Sequence, residues 1–110
     1  MTLQLKASET ALILIDFQHG TLGFPLTPYD RDAIIATGKR LGDAFAKAGG
    51  TIFTVNVAFS EDGGDRLTQP IDIPMMLPDG GFPPEWSQLV PEIANLPGAK
   101  RITKRHWSAF

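Results

Sequence analysis

Two oppositely charged side chains stand where strand-like segments of the sequence end. Asp16 directly follows the apolar run ALILI, and Lys104 ends the segment RITK near the other end of the chain. Open parallel sheets bind ligands outside the carboxyl ends of their strands, because loops and helix ends converge there. We therefore expect Asp16 and Lys104 to face each other at one such edge, within about 4–6 Å, where each favours the charged form of the other. Each also has an ordinary interpretation, Asp16 as a turn residue and Lys104 as part of a solvated basic patch.

Several residues near these two charges could bind a ligand at the same edge. The segment from Asn56 to Phe59 ends the second strand-like run. Aromatic rings close to such an edge can line an apolar pocket, although core packing is their more common role. The candidate substrate-binding residues are Phe17, Gln18, Phe59, Trp107 and Phe110.

The segments that must position these residues follow a strand, helix, strand order. The run ALILIDF is continuously apolar, which is typical of a strand covered on both faces in a parallel sheet. A helix is expected to start near Asp30 or Asp32 and to stop at Gly49-Gly50. Its apolar residues at helical spacing are Ile34, Leu41, Phe45 and Ala48. The alternating segment TIFTVNVAF predicts a second strand, so the unit is a pair of parallel strands joined by a right-handed crossover.

A long segment without hydrophobic period follows the second strand. From Ser60 to Trp86 the chain is rich in glycine and proline. Loops longer than about 12–15 residues are uncommon in compact domains and are often lids or binding loops. A partly disordered connector is equally compatible with this composition. A short helical turn is expected from Glu85 to Val90, broken by Pro91, before the third strand at RITK.

Length, charge and composition limit the function classes. The 110 residues make one domain at most, and a net charge of −2 provides no field that would gather nucleic acid or an anionic membrane. We expect a small-molecule or protein partner instead. The chain has no cysteine, which excludes disulfides, thiolate metal sites and a cysteine nucleophile within these residues. The N-terminus lacks the build of a secretory signal, and ALILI is too short to span a bilayer, so a cytoplasmic protein is expected.

The order of these motifs resembles that of the isochorismatase-like hydrolases, a family of small-molecule amidases and related enzymes. The likeness runs from about Thr10 to Phe110, and is most specific at the stretch IDFQ that contains Asp16 and at the segment that begins with Lys104. It implies a three-layer α/β/α, Rossmann-like fold around a parallel sheet, with only the first three strands and their connections present. Residues 1–110 would then be the N-terminal portion of a single domain, in a protein that forms homo-oligomers.

The resemblance also implies catalytic roles for the two charged residues. Asp16 would act as the general base, and Lys104 would support it electrostatically. A cysteine beyond residue 110 would attack the substrate carbonyl, and water activated by Asp16 would hydrolyse the covalent intermediate. No cofactor is implied.

Two departures from the family pattern narrow this interpretation. Metal-binding, nicotinamidase-like members carry an Asp-x-His stretch after the second strand, whereas this chain reads VNVAFSEDGG without a histidine, so we expect no bound metal. The segment KRHWSAF, with its tryptophan, resembles a branch in which the nucleophilic cysteine is itself replaced.

Three hypotheses therefore stay open: a hydrolase, a non-catalytic family member that binds a small molecule or a protein, and a small binding module that shares only the fold. These 110 residues alone are expected to lack thiol-dependent hydrolysis and to associate through the uncovered first strand.

Overall fold

The chain forms an α/β structure around one parallel sheet. The computed structural model describes residues 2–74 and 78–109. In chain order its main elements are β1 (Ala11–Ile15), α1 (His19–Leu22), α2 (Arg31–Lys47), β2 (Thr51–Val57), α3 (Pro91–Ala94) and β3 (Lys100–Lys104). Two short 3-10 helices also occur, at Ala7–Glu9 and at Pro84–Ser87.

The sheet has the strand order β1-β2-β3, with both pairs parallel. Residues Ala11 to Ile15 pair with Thr51 to Val55, and Phe53 to Val57 pair with Lys100 to Lys104. Because all three strands run in the same direction, their carboxyl ends lie at one edge of the sheet. The predicted parallel α/β architecture is confirmed, with Asp16 just beyond β1 and Lys104 at the end of β3.

Helix α2 connects β1 to β2 and has well-defined ends. The side chain of Asp30 accepts a hydrogen bond from the Ala33 N–H at 2.9 Å, which makes Asp30 the N-cap. At the other end, Gly49 has a φ of +74°, and the Gly50 N–H donates to the Phe45 carbonyl at 2.8 Å. This is a Schellman ending, in which glycine supplies the left-handed turn. The predicted start near Asp30 and stop at Gly49-Gly50 are therefore confirmed.

The buried face of α2 differs from the predicted one. Leu41 is 43% exposed, whereas Gly38 and Gly42 are buried. A Cβ atom on Gly38 would lie 2.6 Å from the ring of Phe17, and one on Gly42 would lie 2.5 Å from Leu96. The helix therefore approaches its neighbours through two glycines. Of the apolar residues at helical spacing, Ile34 and Phe45 pack against the core, whereas Leu41 is not among the residues that do so.

The segment before β3 also corrects a prediction. Residues Pro84–Ser87 form a 3-10 helix, and α3 begins at Pro91 instead of being broken there. Proline suits the first position of a helix because its missing N–H would have no intrahelical partner there. Ile93 in α3 is fully buried and packs in the core with Leu14 and Ile35. None of the helices in the described ranges is long and apolar enough to cross a membrane.

One face of the sheet is only partly covered by the described residues. Ile15, Val55 and Ile102 lie in one row across the three strands. Val55 is buried, but Ile15 and Ile102 are 46% and 43% exposed. We expected β1 to be covered on both faces; residues 2–74 and 78–109 cover only the face against which α2 packs.

Candidate active site

Asp16 has an unusual backbone conformation where the chain leaves β1. Its φ is +63°, in the left-handed region that few residues other than glycine adopt. Its N–H still donates to the Val55 carbonyl at 2.8 Å, and its own carbonyl accepts from the Thr21 hydroxyl. Aspartate tolerates this conformation better than most residues, and such conformations are frequent at functional sites. The turn directs the carboxylate of Asp16 toward β3.

Asp16 and Lys104 form an ion pair across the middle strand. The Lys104 Nζ lies 3.3 Å from Oδ1 and 3.5 Å from Oδ2 of Asp16. The two residues meet as expected, at a shorter distance than the one predicted. The lysine side chain is only 7% exposed and that of Asp16 is 35% exposed, so the pair is partly shielded from water.

The hydrogen bonds of the pair differ between its two members. Lys104 Nζ also donates to the Trp107 carbonyl at 2.7 Å, which fixes the ammonium group at the end of β3. Oδ1 of Asp16 is a buried atom that receives no hydrogen bond from the described part of the chain. The side chain of Asp16 is nevertheless 35% exposed, so the accessible part of its carboxylate can accept a proton from a molecule bound beside it.

Gln18 connects the segment after β1 to β2 and to the 3-10 helix Pro84–Ser87 by hydrogen bonds. Its side chain is fully buried; Nε2 donates to the carbonyls of Val57 and Trp86 at 3.0 and 3.1 Å, and Oε1 accepts from the Val57 N–H at 2.7 Å. The amide is thus fully engaged with backbone groups. In this geometry Gln18 positions the loop that carries Asp16.

Asn56 makes a similar connection inside the sheet. Its Nδ2 donates to the Ser87 carbonyl at 2.9 Å, and its Oδ1 accepts from the Thr103 hydroxyl at 3.0 Å. It links β2 both to β3 and to the turn that carries Trp86. Asn56 therefore stabilises the carboxyl-end edge of the sheet through its side-chain hydrogen bonds.

The aromatic candidates lie in different surroundings. The ring of Phe17 packs against Gly38 of α2, whereas Phe59 lies just beyond β2. Trp107 is 59% exposed; it contacts Lys104 through its carbonyl, and together with Phe59 it lines a cavity of about 300 Å³. Phe110 lies outside the described residues.

A larger cavity contains two aromatic residues that were not among the candidates. Phe59 lines this cavity of about 610 Å³ together with Phe82 and Trp86. The rings of Phe82 and Trp86 are stacked, with centroids 4.4 Å apart and an interplanar angle of 19°. Both come from the segment interpreted as a lid or binding loop or as a connector, and aromatic residues in a glycine- and proline-rich loop were the signal that could have identified them.

The start of that loop is held by carboxylates. The Ser60 N–H donates to both carboxylate oxygens of Asp65, at 2.9 and 3.0 Å, and the Ser60 hydroxyl donates to Asp62 at 2.7 Å. The Ser60 hydroxyl, followed by the Gly64 N–H, holds the pKa of Asp62 below its usual value. The Ser60 backbone N–H is the main cause of the lowered pKa of Asp65. Both carboxylates are therefore anchors of the loop in their ionised form.

No group of three or more histidine or acidic residues within the described ranges is arranged to hold a metal ion. The expectation of a metal-free site stays a prediction. The groups described at this edge that could take part in chemistry are the Asp16–Lys104 pair and the residues of the cavities beside it.

Comparisons with known proteins agree with this architecture. The family model of the isochorismatase domain matches residues 10–110. The chain is 39% identical over 110 residues to YwoC of Bacillus subtilis and 34% identical over 108 residues to YecD of Escherichia coli O157:H7, both named uncharacterized isochorismatase family proteins. These matches cover 99% and 98% of this chain, but 55% and 56% of the two relatives.

Solved structures show the same likeness. An isochorismatase family protein from Burkholderia thailandensis matches 96% of this chain with a TM-score of 0.81 and 28% identity, over 54% of its own length. An isochorismatase from Pseudomonas putida KT2440 matches with a TM-score of 0.61 and 28% identity, over 46% of its own length.

The fold is that of an α/β protein with a parallel sheet, and the site is an acidic–basic pair at the carboxyl ends of the strands. The chain belongs to the isochorismatase family. It spans about half the length of the curated relatives that it matches.

Proposed function

We propose that this chain carries the Asp–Lys part of a hydrolase active site that acts on an amide or a related bond of a small molecule. The observation that carries the proposal is the ion pair of Asp16 and Lys104, in which the lysine is shielded from water while the carboxylate of Asp16 stays partly accessible. The family to which the chain belongs supports a hydrolase. Residues 1–110 are the N-terminal portion of a single domain in this proposal.

Asp16 performs the proton transfers of the reaction. Its carboxylate takes the proton of the attacking thiol and passes it to the leaving amine as the C–N bond breaks and the thioester forms. In the hydrolytic step it takes a proton from the attacking water and returns it to the thiolate as the C–S bond breaks and the acid is released. The ammonium group of Lys104, held by the Trp107 carbonyl, lies 3.3 Å from Oδ1 of Asp16 and fixes the orientation of the carboxylate. In this proposal the attacking group is a cysteine thiol outside residues 1–110, because the covalent route requires a nucleophile and these residues contain no cysteine.

A second candidate is a non-catalytic family member that binds a small molecule or a protein at the same edge. The segment KRHWSAF favours it, because it resembles a branch of the family in which the nucleophilic cysteine is replaced, and the covalent route requires a nucleophile. The reading frame after residue 110 discriminates between the two. A cysteine at a strand-to-helix turn supports the hydrolase, and its replacement supports the binder.

The test is an assay of the complete protein against a panel of small primary amides, with and without prior treatment by iodoacetamide. The hydrolase proposal expects turnover of at least one amide and its loss after alkylation. Turnover that alkylation leaves unchanged would contradict the thiol route. No turnover of any amide, together with saturable ligand binding, would favour the binder.

The complete protein is a cytoplasmic homo-oligomer in this proposal. Ile15 and Ile102 are large apolar residues that the described residues leave nearly half exposed, and a further segment or a second copy would cover them. Light scattering of the complete protein measures the assembly, and a monodisperse monomer would contradict it.

A further inference from the structure

We propose that the 610 Å³ cavity beside the 3-10 helix Pro84–Ser87 binds a flat ring that carries a positive charge, such as an aromatic ammonium compound. Binding of the ring follows from the cavity itself. The further assignment of this ring as the non-reacting part of a substrate rests on the proposed function. This assignment would give the site a substrate class, namely cationic aromatic amides, and would exclude carboxylate-bearing rings.

The cavity offers aromatic faces. Phe82 and Trp86 are stacked, and the ring of Phe59 lies 5.9 Å from Trp86 and 6.4 Å from Phe82, tilted by 36° to each. All three residues are partly exposed, so some ring surface faces the cavity. Aromatic faces attract flat rings by stacking and cations through the ring quadrupole.

The aromatic wall is held in place by close backbone approaches. A Cβ atom on Gly20 would lie 2.3 Å from Nε1 of Trp86, so only glycine in α1 lets the indole ring take this position. On the opposite side, Gly81 has a φ of +85°, and a Cβ there would lie 3.0 Å from the Glu61 carbonyl. The Trp86 carbonyl is fixed by Gln18. The cavity is therefore formed before any ligand arrives, which lowers the entropy cost of binding.

The charges around the cavity have one sign. Glu61 and Asp79 line it, whereas no lysine, arginine or histidine is among the described residues that do so. The neighbouring 300 Å³ cavity differs, because Arg66 lines it. Two carboxylates beside aromatic faces favour a cation and repel a carboxylate. The volume lies within the range of small-molecule sites, roughly 300–1,000 Å³.

The cavity adjoins the Asp16–Lys104 pair. Its first lining residues, Ala58 to Glu61, directly follow β2, and the Ala58 N–H donates to the Lys104 carbonyl at 3.0 Å. The pair itself does not line the cavity. The cavity and the pair therefore lie at the same edge of the sheet, and under the proposed function a ligand in the cavity extends a second group toward the pair.

The test compares three probes that share one ring, namely benzylammonium, benzyl alcohol and benzoate, by calorimetric titration of the complete protein at pH 7. We expect benzylammonium to bind tightest and benzoate weakest, with about a tenfold difference between them, because the exposed carboxylates of Glu61 and Asp79 each weakly attract a cation and weakly repel an anion. Equal or tighter binding of benzoate, or no saturable binding of benzylammonium up to about 10 mM, would overturn the proposal.

Variants separate the ring contacts from the charges. Phe82→Leu should weaken all three probes by about fivefold or more, whereas Phe24→Leu, at an exposed phenylalanine outside the cavity, should not. The double variant Glu61→Gln with Asp79→Asn should reduce the preference for benzylammonium over benzoate to about twofold or less, and Asp32→Asn should leave it unchanged. Full retention of the preference in the double variant would refute the charge argument even if Phe82→Leu failed to fold.

The same titrations distinguish this inference from the proposed hydrolase. Asp16→Asn should bind benzylammonium as tightly as the parent does, because Asp16 does not line the cavity. Ring binding without any amide turnover would leave the cavity assignment standing and remove the hydrolase. Amide turnover without ring binding would support the hydrolase and overturn the assignment of the cavity.

Discussion

The ammonium group of Lys104 lies 3.3 Å from Oδ1 of Asp16, although β2 separates the strands that carry them. The left-handed turn at Asp16 and the Trp107 carbonyl, which holds Lys104 Nζ, bring the two groups together. The two charges come from residues 88 positions apart, so their contact is a product of the parallel sheet. Its energetic and catalytic consequences can be measured separately.

Replacement of Lys104 by methionine should destabilise the complete protein by about 1–3 kcal/mol. Removal of one partner of a shielded pair leaves the other charge uncompensated, although the 35% exposure of Asp16 reduces the cost. Urea denaturation measures the change. The control is Lys39→Met, which breaks the exposed pair with Asp43 in α2 and should cost less than about 0.5 kcal/mol. Equal losses in the two variants would show that the shielding of Lys104 has no energetic effect.

Gln18→Leu should lower the free energy of unfolding by at least about 2 kcal/mol. Leucine leaves the N–H and the carbonyl of Val57 and the carbonyl of Trp86 without their partner, and each buried unpaired group costs about 1–3 kcal/mol. Gln88→Leu, at an exposed glutamine, is the matched control. A change of less than about 0.5 kcal/mol for Gln18→Leu would mean that water or another group satisfies these backbone atoms.

Gly38→Ala should destabilise the protein, against the usual preference of helices for alanine. In an open helical position this change stabilises by about 0.5–1 kcal/mol. Here the new methyl group would lie 2.6 Å from the ring of Phe17 and would force α2 away from β1. Thermal unfolding followed by circular dichroism gives the sign. A stabilised variant would contradict the close packing of α2 on Phe17.

The loop anchored by Asp62 and Asp65 should loosen in acid. Both carboxylates have a pKa below the usual 3.8, so their bonds contribute fully above that pH and are lost as pH falls through the lower folded-state values. Carbon-detected NMR titration of the two carboxyl groups measures each pKa. Ser60→Ala should raise the pKa of Asp62 more than that of Asp65, because the hydroxyl is the main cause for Asp62 and the backbone N–H is the main cause for Asp65. Equal increases would be inconsistent with this division of hydrogen bonds.

The contact between Asp16 and Lys104 could be predicted from the sequence, because it depends only on where each strand ends and on the strands being parallel. An apolar run that ends in Asp16 and a short strand that ends in Lys104 suffice to place both at one edge, once the strands are parallel. The N-cap and the C-terminal glycines of α2 are equally local signals, and they were predicted at the correct positions.

The packing of α2, the aromatic stack and the role of Gln18 depend on contacts between distant residues, which the spacing of residue types along the sequence does not show. The buried face of α2 is centred on Gly38 and Gly42, and glycine adds nothing to a count of apolar side chains. Phe82 and Trp86 come from a loop without any period, so only the folded chain shows that their rings stack. Gln18 looked like a residue available to a ligand, but the number of backbone groups that engage it becomes visible only in three dimensions.

The most direct measurement of the central claim is kcat/KM of Asp16→Asn in the complete protein, for the small amide that the parent hydrolyses fastest. Asparagine tolerates the left-handed backbone of residue 16 and preserves the shape of the side chain, but it cannot take up the proton. We predict a loss of at least about 100-fold, with Asp32→Asn, an exposed aspartate of α2, within about twofold of the parent. Parental activity in Asp16→Asn would contradict the assignment of Asp16 as the general base.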